Sequence, residues 1–111
     1  MSGKKSREKG KNGEREFANF LKQHGYTDAR RGVQFKGTHD SPDVIGINGY
    51  HIEVKRAEKL RIYPTIEKAK DESDDNVPIV AHRKNRKEWI IVIYAEDFLD
   101  VLKRCNVDNE K

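Results

Sequence analysis

Residues 41–56 read SPDVIGINGYHIEVKR, and the way this stretch pairs with itself decides the fold. Two short apolar runs flank Asn48-Gly49, a dipeptide that favours a tight hairpin turn. The same runs carry Asp43, Glu53 and Lys55. Side chains alternate along a strand, so a slip of one residue would move all of them to the other face. A two-residue turn would pair Asp43 with Val54 and split the charges between the faces. A three-residue loop of Ile47, Asn48 and Gly49, with Gly49 left-handed in a G1 bulge, pairs Asp43 with Glu53 instead. One face then carries Val44, Gly46, Tyr50, Ile52 and Val54, and the other carries Asp43, Ile45, His51, Glu53 and Lys55. We adopt this register because it explains both faces: the apolar one needs helices over it, and the acidic one needs a cation.

Two carboxylates held side by side repel one another and resist desolvation while charged. A hard divalent ion relieves both problems. Mg2+ suits such a pair, because it takes oxygen ligands, keeps several waters and is commonly held by one or two carboxylates together with substrate phosphate. Lys55, on the Glu53 face, is then placed to orient an attacking water and to stabilise charge on a phosphate. The constellation describes metal-assisted phosphodiester hydrolysis. For a bare D-x(9)-E-x-K match the competing reading is a surface ion pair between Glu53 and Lys55, plus a turn aspartate after Pro42.

The flanking segments predict what surrounds the hairpin. Asn12 reads as an N-cap, Phe17, Ala18, Phe20 and Leu21 as a buried helical stripe, and Gly25 as the stop. Glu14 lies three and seven residues before Phe17 and Leu21, so it extends that stripe and offers a third metal ligand. Residues 26–35 read as a first strand, and 36–42 as a loop. Pro64 opens a second helix that dissolves in the acidic run at 71–75. VPIVAH (77–82) and WIIVIY (89–94) read as two central strands, joined by the basic loop RKNRKE. Phe98, Leu99, Val101 and Leu102 mark a closing helix in which Cys105 reads as a small core residue. The expected fold class is α/β, a mixed sheet of about five strands flanked by helices in the order αβββαββα. We expect one nuclease-like domain over 12–105 and a short polar tail at 106–111.

Composition limits the function. The 111 residues are 34% hydrophobic and 38% charged, which implies a small core and an ionic surface. No run approaches the roughly 20 apolar residues of a membrane span, so no membrane partner and a cytoplasmic setting are expected. Residues 1–11 hold five Lys or Arg against one Glu, which is the whole net charge of +4. They read as a flexible basic arm with Lys4 and Lys5 among its cations, either a solubilising tail or an extension that seeks phosphate. A single cysteine excludes an internal disulfide and any cysteine-rich zinc site.

The ordered pieces KGKNGERE (9–16), HGY (24–26), Arg30, PDV (42–44), HIEVKR (51–56) and VPIVAHRKNRKEW (77–89) resemble the PD-(D/E)xK nuclease superfamily. Within it, the chain is most similar to archaeal-type and phage Holliday junction resolvases. The resemblance covers about residues 9–95 and implies a restriction-endonuclease-like core. It implies Glu14, Asp43 and Glu53 as metal ligands and Lys55 as the catalytic lysine, with Mg2+ as cofactor and Mn2+ able to substitute. It further implies a homodimer that nicks branched DNA symmetrically, in a bacterial or phage-infected cell. Arg30 matches an arginine that engages DNA, and Arg15 is a weaker match of the same sort. Arg31, Gln34 and Lys36 cluster with Arg30 as further phosphate contacts. Many relatives carry a Gln on the helix after the E-x-K strand, where this chain has Glu67 and Lys68. His39 and Asp40 read as loop residues, His51 as structural or as supporting a ligand from behind rather than as a ligand itself, and Trp89 as a packing residue. The basic run Arg83, Lys84, Arg86 and Lys87 is read either as solvated or as DNA-binding. Two alternatives remain: the same chemistry on another DNA substrate, and a DNA-binding module without catalysis.

Overall fold

The computed structural model describes residues 2–33 and 41–107, and within them the side chains of 9–33 and 41–105. The elements are α1 (Ser2–Gln23), β1 (Arg30–Arg31), β2 (Val44–Ile45), β3 (Tyr50–Arg56), α2 (Ile62–Glu72), β4 (Val77–Arg83), β5 (Ile90–Ile93) and α3 (Ala95–Val107). Their order is the expected αβββαββα. The strands form one sheet in the order β1-β2-β3-β4-β5. β3 and β4 run parallel, and the other neighbours are antiparallel. The mixed five-stranded sheet with flanking helices is compatible with a restriction-endonuclease-like core.

The hairpin has the register expected of a three-residue loop, but Asp43 is not paired with Glu53 in the ladder. Val44 pairs with Ile52, as a three-residue loop requires, and Gly49 takes φ +90°, a conformation open to glycine at little cost. The ladder then breaks at Asp43, whose N–H turns to the Ile52 carbonyl at 2.8 Å. From there its carboxylate reaches β3.

Each face of the sheet is covered by a different helix. On one, Phe17 and Ala18 of α1 pack with Val44, Ile52, Val54 and Ala81. On the other, Ile66 and Ala69 of α2 pack with Val80. Val44, Ile52 and Val80 are fully buried, and burying a side chain of this size is worth about 1.5–3 kcal/mol. Trp89 packs against Phe17 with ring centroids 4.8 Å apart, so it is a packing residue as expected.

α1 lies close to β3 at Gly13, where a Cβ would come within 2.6 Å of the Arg56 Cβ. Glu16 secures this approach by accepting from Arg56 Nε at 3.0 Å and Arg83 Nη1 at 3.2 Å. A glycine within a helix costs about 1 kcal/mol relative to alanine. The close contact explains why one stands at this position.

Four expectations are corrected. The first helix does not start at Asn12 but runs from Ser2, so the boundary drawn at residue 11 falls inside a helix. Lys, Arg and Glu propagate a helix well, and the Asn12 side chain accepts from Arg15 Nη1. Among the described residues the first strand is Arg30–Arg31, because Tyr26 closes α1 by donating to Leu21 and then accepts from Ala29 in a turn. The WIIVIY segment is an edge strand, with Ile90 and Ile91 exposed. Cys105 is exposed rather than in the core. The reason lies in α3: Phe98, Leu99 and Leu102 are exposed too, and neither core cluster includes a residue of this helix.

Candidate nuclease site

Three local features of the sequence place Glu14, Asp43 and Glu53. α1 carries Glu14 one turn before the buried Phe17, which aims it inward at the β1–β2 edge of the sheet. The broken ladder turns Asp43 toward β3, where its Oδ2 accepts the Val54 N–H at 2.9 Å. Strand alternation puts Glu53 on the face opposite Ile52 and Val54. Glu14 is partly buried, and Asp43 and Glu53 are buried.

Their electrostatics link both glutamates to Asp43. The Glu53 pKa is raised above the ordinary glutamate range, first by burial and then by the charge of Asp43, against a hydrogen bond from His51 that lowers it. The Glu14 pKa is raised by burial and by the same Asp43, against the lowering effect of Arg31. Asp43 is thus the shared neighbour of both glutamates. Burial and like charge both disfavour the ionised form, and a divalent cation would counter both. The donor set, three oxygen carboxylates, fits a hard ion.

Two side chains compensate the cluster from outside. Arg31 Nε donates to Glu14 Oε1 at 2.9 Å. His51 Nε2 lies 2.9 Å from Glu53 Oε1, deep in the fold. A further grouping brings ligand atoms of His51, Glu53 and Glu72 within 4.8 Å of one another. Glu72, in the last turn of α2, also faces Lys68 Nζ at 3.9 Å.

The remaining candidates are placed unequally. Lys55 is exposed and follows Glu53 by two residues on the same strand, so it projects from the same face. Arg30 is exposed, with Nη1 donating to the Asp28 carbonyl. Arg15 is exposed on α1 and engages Asn12. Gln34, Lys36, His39 and Asp40 lie outside the described residues, as do the side chains of Lys4 and Lys5. Glu67 is exposed and Lys68 turns to Glu72, so among the described residues neither sits in the cluster.

Sequence reasoning missed the Glu16–Arg56–Arg83 brace and the position of Glu72, since no local pattern marks contacts between residues so far apart in the chain. The pairing of His51 with Glu53 had a signal, because residues two apart on a strand share a face.

Among the described residues, no helix is long and apolar enough to cross a membrane. The family model of the archaeal Holliday junction resolvases matches residues 5–108. No curated protein and no solved structure matches the chain.

Proposed function

The chain belongs to the archaeal Holliday junction resolvase family, structure-specific nucleases of the PD-(D/E)xK superfamily that hydrolyse phosphodiester bonds in branched DNA, and from that premise we propose how its residues divide the work. Glu14, Asp43 and Glu53 bind Mg2+, with Mn2+ as a substitute, and Lys55 is the catalytic lysine. The single observation supporting this reading is that Asp43 stands beside both Glu14 and Glu53, close enough for its charge to act on each. A resident divalent cation would supply a Lewis acid for the scissile phosphate and lower the pKa of a bound water. The chain's own contribution is positional. The Val54 N–H fixes Asp43, and the sheet fixes Glu53. Lys55 stabilises the charge that grows on the phosphate oxygens and orients the attacking water.

Arg15, Arg30, Arg31, Gln34, Lys36, Lys4 and Lys5 serve as contacts to the DNA backbone. The active form is a homodimer, a reading supported by the exposed apolar side chains of Ile90, Ile91, Phe98, Leu99 and Leu102 on β5 and α3. Apolar surface of this extent usually marks an interface. Replacing Leu99 and Leu102 together by Arg is expected to convert a sedimenting dimer into a monomer, and unchanged sedimentation would exclude this surface. The setting we assign is the cytoplasm of a bacterium or of a phage-infected cell, on the resemblance alone.

The test incubates the protein and Mg2+ with a four-way junction, a flap, a single strand and a linear duplex of matched length. Paired symmetric nicks confined to the junction are expected, and equal cutting of all four substrates would refute junction specificity. Glu53→Ala and Lys55→Ala are each expected to abolish nicking while junction binding persists. Full activity in either variant would remove that residue from the site. Deleting residues 1–8, which hold three cations, should weaken junction binding. Each lost phosphate contact flattens the slope of log K against log salt by about 0.9. Identical slopes with and without the segment would show that it makes no such contact.

A further inference from the structure

Among the described residues, the His51 imidazole is one of the most deeply buried polar groups, with 3% of its side chain exposed. His51 Nε2 lies 2.9 Å from Glu53 Oε1, and with Glu53 ionised, as a metal ligand must be, that nitrogen carries the hydrogen and donates it. That nitrogen is therefore unavailable to a metal. With both glutamates ionised, His51 is the one donor in the grouping with Glu53 and Glu72. It stands with two carboxylates whose ligand atoms lie within 4.8 Å of each other and of its own. Without it, nothing in that group would keep Glu53 from turning away from a like charge. The bond is made through Oε1.

We propose that His51 is a positioning residue, which holds the Glu53 carboxylate in the orientation that lets it share a divalent cation with Asp43. This rests on the reading of Glu53 as a metal ligand. Its physical basis is general: groups that hydrogen-bond a metal ligand from behind fix its orientation, and losing one typically costs about 10- to 100-fold in metal affinity. A β-strand makes the device compact, because one turn of side-chain alternation supplies both the ligand and its support.

The test uses the full chain without DNA and measures Mn2+ affinity by titration calorimetry for the wild type, His51→Leu, His51→Gln and Glu53→Ala. His51→Leu fills the space but cannot donate, and it is expected to weaken Mn2+ binding by about 10- to 100-fold. His51→Gln keeps an N–H donor and is expected to recover most of that loss. Should His51→Leu fail to fold by circular dichroism, His51→Asn replaces it, since its shorter side chain falls short of Glu53 while keeping the amide. Wild-type Mn2+ affinity in the Leu or Asn variant, or equal losses in the Gln variant, would overturn the proposal. Unaltered Mn2+ affinity in Glu53→Ala would instead overturn the ligand reading on which it rests.

Discussion

The two faces of β3 are made from alternate residues of one strand, and burial means opposite things on them. Val54 is 8% exposed and Glu53 is 9% exposed, so geometry scarcely distinguishes them. Val54 meets Phe17, Ala18, Ile52 and Ala81 in the cluster beneath α1, where removal from water stabilises the fold. Glu53 meets His51 and the charge of Asp43, where removal from water penalises its ionised form. The apolar face supplies the stability on which the acidic face draws. The strand can hold an unfavourable carboxylate because its other side is locked against a helix.

This contrast is broken most severely by exchanging which face is disturbed. Ile52→Ala is expected to cost about 2–5 kcal/mol in urea unfolding, while whatever remains folded still cleaves. Glu53→Gln, nearly isosteric and still able to accept from His51, is expected to lose nicking altogether, with stability at neutral pH equal to or above that of the wild type. A large loss of stability in Glu53→Gln would mean that the two faces are both structural. Lys55→Ala tests the exposed end of the acidic face: nicking should vanish, and the unfolding free energy should stay within about 0.5 kcal/mol of wild type, as is usual for surface positions.

The hairpin shows how far the sequence could be read. Its register followed from one requirement, that Asp43 and Glu53 share a face, and the Val44–Ile52 pair meets it. Alternation then gave the Glu53 face and the apolar face without further information. Asp43 itself leaves the ladder to bond Ile52 and Val54, a local break that alternation does not encode. The helix start was misplaced because Asn12 is a good cap in isolation, yet flanking Lys, Arg and Glu carry the helix through it. Gly13 reads as a breaker until Arg56, 43 residues later, is seen to need its space. Apolar patterning in β5 and α3 reads as core. The fold leaves Ile90, Ile91, Phe98, Leu99 and Leu102 exposed, a placement that patterning alone does not encode.

Metal sharpens the comparison at intermediate scale. If the acidic face exists to hold a cation, Mg2+ should stabilise the folded chain by mass action, about 2.7 kcal/mol at a concentration one hundred times its dissociation constant. Thermal unfolding at neutral pH should show this rise in the wild type and a much smaller one in Glu53→Gln. Ile52→Val, which thins only the apolar face, should lower the melting point and leave the Mg2+ increment intact. An increment of equal size in wild type and Glu53→Gln would detach the cation from this face.

The smallest effect is the most specific, because it reads the sign of burial directly. Glu14 and Glu53 both have folded-state pKa values raised above the ordinary 4.5. The folded chain therefore holds these protons more tightly than the unfolded chain does. The stability they contribute is fully present below about pH 4.5 and is lost as pH rises through the raised folded-state values. A paired surface carboxylate would behave in the reverse way. Measured without metal, the difference in unfolding free energy between Glu53→Gln and wild type should move in favour of the variant as pH climbs from 4 to 7. A difference that moves toward the wild type over that range would mean that Glu53 is stabilised as a charge by His51. In that case the two faces of β3 would both be stabilising, and the acidic face would need no cation to balance it.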